Sequence, residues 1–513
     1  MIAPSPSSDD AIFDVPAEDE GPVAVLLRIA SNARVFRSTD GSLYAQVPVG
    51  DRHEIYGLKS EQFRDWLVDG YQVDCGGLAN NGAVRRVLAD LETRARRGGG
   101  APPVFIRVGR DGSGKGNDFS TYLDLGDPSG RAVKIDANGW SVVDRPGIHF
   151  RRPDGMLPLP EPARGGSIEP LRSFVNLNES DFRLLIAWLA AALRPIGPYP
   201  VLTIYGEQGS AKSTLARIVR MLIDPQAAPL LAAPTGVRDL MVTAVDGWLL
   251  AFDNISSVPI WLSDSLCLLS TAGGLATRAL YSNDKRRVIH ALRPVILNGI
   301  EDFVRRGDLA DRCVFLHLTP ITPRTRRAEQ EFWATFDRDY PRIFGGLLDA
   351  VVGGVRELLS VQLMDIPRMA DFALFGEAVS RGLGWPAGSF LSAYNDNRWH
   401  ATVASLEDSP VGTALLRLIS PVMKQWSGTT TKLHQALTLI VGKKIAASAR
   451  WPKTSSMLGN ELRRIAPQLR IHGLSIGFER TSDARLVTLK TTHVPIIQAP
   501  HVTPDSSTSS LDQ

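Results

Sequence analysis

The sequence predicts an α/β protein: a phosphate-loop core preceded by an α+β N-terminal domain and followed by a helical lid and a C-terminal winged helix. Three observations carry this prediction. An apolar, β-branched run, Val201-Leu202-Thr203-Ile204-Tyr205, leads into the turn Gly206-Glu207-Gln208-Gly209-Ser210-Ala211, and Lys212-Ser213-Thr214 then opens an amphipathic helix reaching Asp224. A second apolar run from Trp248 to Phe252 ends in Asp253, far enough from Lys212 to leave room for a helix and a loop between two parallel strands. Near the C-terminus, helical stretches at 431–439 and 457–469 precede two strand-like segments, the order of a winged helix.

The whole chain is 513 residues long and 44% hydrophobic, enough for several cored domains. Its net charge of +3 says little by itself, but the N-terminal lead is acid-rich and the C-terminal region basic. Cys75, Cys267 and Cys313 lie far apart, with neither a metal-ligand spacing nor a disulfide framework, which fits a reducing cytoplasm. No signal peptide opens the chain, and the longest apolar helix, Asp181 to Leu193, is too short to span a bilayer; a soluble cytoplasmic protein with no membrane partner is expected.

In order, residues 1–21 read as a disordered acidic lead. Residues 22–165 form the α+β domain, mainly antiparallel, around one helix near Ala83 to Arg97; its job is not legible. The proline-rich stretch 158–166 reads as a linker. The core spans 166–322, with Asn178 or Ser180 capping its first helix. Residues 323–408 read as a helical lid whose aromatic stripe, Phe332, Trp333 and Phe336, belongs to a core. The winged helix takes 409–494, with Pro467 expected to end its last helix early, and 495–513 is a disordered tail.

The chemistry gathers at the loop. Backbone N–H groups of residues 206–214 can wrap a β-phosphate, Lys212 can reach the β and γ oxygens, and Ser213 with Asp253 can hold Mg²⁺, so ATP and Mg²⁺ are the expected ligands. Ala211 stands where the motif G-x-x-x-x-G-K-[ST] has its last glycine; a methyl fits there with negative φ, and the loop resembles that of minichromosome maintenance helicases. Asn254 stands where many such ATPases carry a second acid, which puts hydrolysis in question and leaves Asp253 or Glu207 as alternative bases. Asn298 closes a third strand, 293–299, from which its amide can position the attacking water. Arg312 is the candidate arginine finger, against a surface pairing with Asp308 or Asp311.

A phosphate loop, an acid-ended strand, a basic hairpin around Ser282-Asn283-Asp284, an asparagine-ended strand and a following arginine, in that order, resemble the superfamily 3 helicases, AAA+ relatives found in viral, phage and plasmid replication proteins. Arg278-x-Leu280-Tyr281 and Asn298 look more narrowly like phage and plasmid primase-helicase C-terminal domains. The resemblance implies an AAA+-like ATPase core and a ring, expected to be a hexamer, in which Lys285, Arg286 and Arg287 line a central channel around DNA. It also implies helicase or translocase work in replication of a phage, plasmid or integrated element, beside a primase or other replication proteins. Arg463 and Arg464, on the margin of a C-terminal helix in a region poor in acids, are further DNA-contact candidates. An ATP-gated DNA-binding or loading switch and an AAA+ ATPase acting on protein partners stand as alternatives.

Overall fold

The computed structural model describes residues 21–98, 100–112, 119–271, 274–278, 286–300, 303–322, 324, 326–407, 409–419, 425–471, 473–480 and 485–491. The N-terminal region divides in two. Its first part holds α1 (Pro22–Ala30), the antiparallel meander β1 (Arg34–Arg37), β2 (Leu43–Val49) and β3 (Arg52–Gly57), then α2 (Glu61–Cys75) and α3 (Asn81–Arg97). Three helices stand where one was expected. Ser60 and Asn80 cap α2 and α3 by accepting the N–H groups of Phe63 (3.2 Å) and Ala83 (2.7 Å), and Gly76 stops α2 in a left-handed conformation. This part has a core of its own, in which Leu26, Phe63, Leu67 and Val87 are buried.

The second part contains the short strands β4 (Val104–Phe105) and β9 (His149–Phe150), and the antiparallel sheet β5 (Val108–Arg110), β6 (Thr121–Asp124), β7 (Ala132–Asp136) and β8 (Gly139–Val143). Its apolar face does not join the first part. Val108, Leu123, Val133, Ile135 and Trp140 are buried in one cluster with the strand Val201–Gly206 and the helices on either side of it.

That central region comprises α4 (Glu179–Ala192), β10 (Val201–Gly206), α5 (Lys212–Ile223), α6 (Val237–Asp246), β11 (Leu250–Phe252), α7 (Ile260–Ser270), β12 (Gly274–Arg278), β13 (Arg286–His290), β14 (Val295–Gly299), α8 (Gly307–Ala310) and β15 (Cys313–Leu318). Four strands form a parallel sheet in the order β11-β14-β10-β15, so β14 enters between the two strands that precede it. Their side chains alternate between two cores, as a two-residue period requires. Leu202, Ile204, Ala251, Ile296 and Leu316 face one, shared with α4 and α5; Val201, Tyr205, Phe252, Leu297 and Phe315 face the other, shared with α6 and α7. Both faces are covered, which is why these strands read as unbroken apolar runs. Helix α4, capped by Asn178 at 2.8 Å from the Asp181 N–H, is a core helix apolar nearly all round.

Three helices follow: α9 (Glu329–Glu357), α10 (Ala370–Gly382) and α11 (Ser389–Glu407). They pack against α4 in the first core, where Phe336, Phe344 and Phe375 are wholly buried, so this layer is structural over much of its length. The expected linker 158–166 is packed as well. Ala163 N donates to Pro341 O (3.0 Å) and Ser167 N to Arg342 O (3.1 Å), and a Cβ added at Gly345 or Gly346 would collide with Ala163 or Ser167. Only glycine lets this strap lie on the backbone of α9. A proline-rich stretch mimics a linker because its backbone cannot pair within a helix or sheet, yet here it pairs with a helix instead.

The C-terminal region contains α12 (Pro410–Leu418), β16 (Gln425–Thr429), α13 (Thr430–Ala447), α14 (Ser455–Ile471), β17 (Leu474–Arg480) and β18 (Arg485–Thr491), with the antiparallel sheet order β16-β18-β17. Pro467 does not end α14: the helix continues through it to Ile471, held by the burial of Leu462, Ile465 and Leu469.

One ion pair ties three of these pieces together. The side chains of Arg107 and Asp224 are both 0% exposed, with Nε 3.0 Å from Oδ1. Arg107 also donates to Asp124 O (2.9 Å) and Leu157 O (2.7 Å), and Asp224 accepts the N–H groups of Trp248 and Leu249 (3.2 Å each). Although burial alone would raise it, the guanidinium groups of Arg107 and Arg220 hold the Asp224 carboxyl below its usual range. Arg107→Ala leaves this charge buried and unpaired, so a loss of about 3–5 kcal/mol is expected in denaturant titration; a change below about 1 kcal/mol would sink the assignment. Asp181 behaves oppositely. Burial raises its pKa from 3.8 to about 6, against hydrogen bonds from His317 and Asn178. The folded state therefore binds the proton more tightly, and its stability declines as pH rises from 3.8 to about 6. Asp181→Asn should abolish that decline and raise the Tm at pH 7, measured by thermal melts across pH 4–8.

Candidate nucleotide site

The carboxyl ends of β10, β11 and β14 converge on a cavity of about 440 Å³ lined by residues 208–214, Asp253, Asn254, Asn298, Gly299 and Ile300. The turn after β10 is rigid before any ligand arrives. Ser210, wholly buried, donates its hydroxyl to Glu207 O at 2.9 Å, and Gly206 must be glycine because a Cβ there would meet Leu318 O and Ser210 Oγ. Lys212 Nζ donates to Gly206 O and Glu207 O, both at 2.8 Å, so it already lies across the mouth of the loop. Partial burial lowers its pKa and Asp253 opposes that shift.

Ala211 adopts φ +65°, against the expected negative φ. The loop must reverse here to aim the first N–H groups of α5 into the cavity, and an alanine accepts the left-handed region at a cost of about 1–2 kcal/mol. The motif's glycine is missing, but the residue in its place adopts a left-handed conformation that glycine enters freely.

Ser213 Oγ donates to Asp253 Oδ1 at 3.2 Å across the gap between loop and strand end. A hydroxyl and a carboxylate side by side are hard oxygen donors that fit Mg²⁺ completed by water and phosphate. Asn254 takes φ +56°, a conformation asparagine tolerates, and its N–H is shared between Asp253 Oδ1 (2.8 Å) and Asn298 Oδ1 (3.2 Å). Because β14 lies between β11 and β10, Asn298 stands between Asp253 and the loop. It is 1% exposed and its Nδ2 has no partner among the described residues, an unmet donor in the wall of the cavity.

Other candidates fall elsewhere. Arg312 is at the opposite, N-terminal end of the strands, just before β15, where its carbonyl accepts from Val201 N at the start of β10 (2.9 Å). Its guanidinium turns inward, donating to Cys267 Sγ (3.2 Å) and Asp308 O (2.8 Å). Within the chain this residue, expected as a finger on a neighbouring subunit's nucleotide, bridges α7 and α8, and it bonds the Asp308 carbonyl rather than a carboxylate of Asp308 or Asp311. Strands β12 and β13 pair antiparallel, from Gly274↔His290 to Arg278↔Arg286, carrying Arg286 and Arg287; Lys285 and the tip lie outside the described residues. Arg463 and Arg464 diverge although adjacent on α14. Arg463 lies over the Phe478 ring (4.8 Å), while Arg464 pairs with Glu461 and lines a cleft with Arg305 and Arg306 of the central region. Sequence reasoning missed Arg326, whose Nη2 would stand 3.2 Å from a Cβ added at Gly209; the basic run Arg324, Arg326, Arg327 was its only signal.

Residues 168–396 match the family model described as the actinomycete integrative conjugative element replication protein, and residues 411–506 match the model of the RepA C-terminal domain of those elements. Together they span more than half of the chain. The chain is a replication protein of a mobile element. No curated protein matches it. Among solved structures, the apo A form of the NrS-1 C-terminal region matches at 10% identity over 92% of this chain and 100% of that one, with a TM-score of 0.38. A second apo structure of the same region matches at 12% identity over 93% and 100%, with a TM-score of 0.33. No described helix of the replication protein is long and apolar enough to cross a membrane.

Relief of the strain at residue 211 is measurable. Ala211→Gly should raise stability by about 0.5–1 kcal/mol, the left-handed penalty removed less the extra chain entropy of glycine, with nucleotide affinity kept. A lowered Tm would contradict the strain.

Proposed function

We propose that this replication protein is an ATP-driven DNA helicase or translocase that works at the replication of its element, with an AAA+-like core and a winged helix as its C-terminal region. The observation that carries the reading is the 3.2 Å contact of Ser213 with Asp253, made at the mouth of a loop that also presents Lys212. In this reading Ser213 and Asp253 hold Mg²⁺, which neutralises phosphate charge, and the loop N–H groups with Lys212 hold the β- and γ-phosphates. The Asn298 amide orients a water. The water oxygen bonds to the γ-phosphorus as the bond to the β–γ bridging oxygen breaks, ADP leaves with that electron pair, and the water's proton ends on the released phosphate. The helix order of the C-terminal region and its excess of Lys and Arg support DNA contact there, and Arg286 and Arg287 on β13 support a second contact. A ring, hexameric by the resemblance, would set that hairpin toward a channel. Primase or other replication factors are the protein partners in this reading.

A specific observation favours a second reading, an ATP-gated DNA-binding or loading switch. Asp253 is the one carboxylate among the residues described around the cavity, and the place of a second acid is taken by Asn254. ATP turnover by the full-length protein, with and without single-stranded DNA, separates the two. The motor should turn over at roughly 1 s⁻¹ or faster with DNA, and Lys212→Ala should remove more than ~90% of it. Tight binding with turnover far below that leaves the switch, and equal turnover in wild type and Lys212→Ala removes both.

A further inference from the structure

Four contacts lay the segment after β15 over the phosphate loop. Asn176 Nδ2 donates to Thr319 O (2.6 Å), and Ile321 N donates to Gly209 O (3.2 Å), which fastens the segment to the apex of the loop. At its far end Glu329, the first residue of α9, pairs with Arg217 of α5 (3.0 Å), and the Arg217 guanidinium lies 4.4 Å from the centre of the Trp333 ring. Between these anchors Arg326 brings its guanidinium to Gly209, 3.2 Å from where a Cβ would stand. Arg326 is exposed and pairs with no carboxylate among the described residues. Lys212 and Arg326 thus bring two cations to one loop, with Asp253 as the acid of the cavity. Such an excess of positive charge is repulsive until an anion arrives.

We infer that Arg326 is the arginine that contacts the terminal phosphate of a bound nucleoside triphosphate, supplied by the same chain that holds the loop. The inference rests on the nucleotide reading above and gives that site a positive charge from its own chain, which Arg312, at the far end of the strands, does not bring to it. A planar guanidinium can grip two phosphate oxygens at once and gains strength as charge spreads over them during transfer. Because the segment after β15 leads into α9, the same contact reports the terminal phosphate to the helical layer. A diphosphate lacks the group Arg326 touches, so the signature is discrimination between the two nucleotides.

The test measures the affinity of fluorescent ATP and ADP analogues with Mg²⁺, together with ATP turnover, for the full-length wild type, Arg326→Ala, Arg326→Lys, Arg327→Ala and Lys212→Ala. Arg326→Ala should weaken ATP about 10- to 100-fold and ADP several-fold less, and slow turnover about 10³-fold. Arg326→Lys should restore part of the ATP preference but little turnover, since a point charge lacks the planar fork. Arg327→Ala should behave as wild type. An unchanged ATP-to-ADP preference in Arg326→Ala, with binding lost in Lys212→Ala, would overturn the assignment and leave the nucleotide reading standing. So would an equal loss in Arg327→Ala. Wild-type protein that binds neither analogue, or binds them as well as Lys212→Ala does, would overturn both.

Discussion

The buried pair of Arg107 and Asp224 fixes the frame in which the candidate site exists. Two charges out of water cost several kcal/mol each unless each is answered at short range, and here every neighbour answers. Asp224 ends α5, the helix whose other end is Lys212, and it also accepts the N–H groups of Trp248 and Leu249 at the entrance to β11. The pair therefore sets the far end of α5 against the start of the strand that leads into Asp253. Twelve residues of helix are a rod of about 18 Å, so a shift at Asp224 reappears at Lys212 and Ser213. The 3.2 Å approach of Ser213 to Asp253 thus lies one helix away from the ion pair that anchors both elements.

The strands of this site were legible because each is a local apolar run covered on both faces, and a loop between such a run and an amphipathic helix has few other readings. The placement of Asn298 followed from its position at the end of a third such run. What escaped was non-local or exposed. Arg107 lies in a turn 117 residues from Asp224, and nothing in either neighbourhood marks them as partners. Helix α1, with Val23, Val25 and Ile29 in nine residues, carries strand-like chemistry, and α2 buries only Phe63 and Leu67, too thin a stripe to give a clear helical period. The conformation of Ala211 runs against its residue type, so composition points the wrong way there. Arg312 and Arg326 show the limit most sharply. Both are arginines in polar segments after a strand, and only the packing decides that one is an internal strut and the other rests on the loop.

Phosphoryl transfer asks for charge more than for a base, because the transition state is loose and its charge is spread over the equatorial oxygens. In the proposed reading the neutral Asn298 amide can orient a water without accepting its proton, and Asn254 adds no carboxylate. Loss of a base then costs the reaction less than loss of a cation would. The residues that decide the rate are those that hold positive charge against the loop, and of these Arg326 sits on a segment pinned at both ends. That segment continues into α9, which receives the strap 163–167 on its glycines and the Trp140 indole on Asp349 at 2.7 Å. In the proposed reading α9 therefore touches both the loop helix, through Glu329 and Arg217, and the N-terminal sheet, through Asp349 and Trp140.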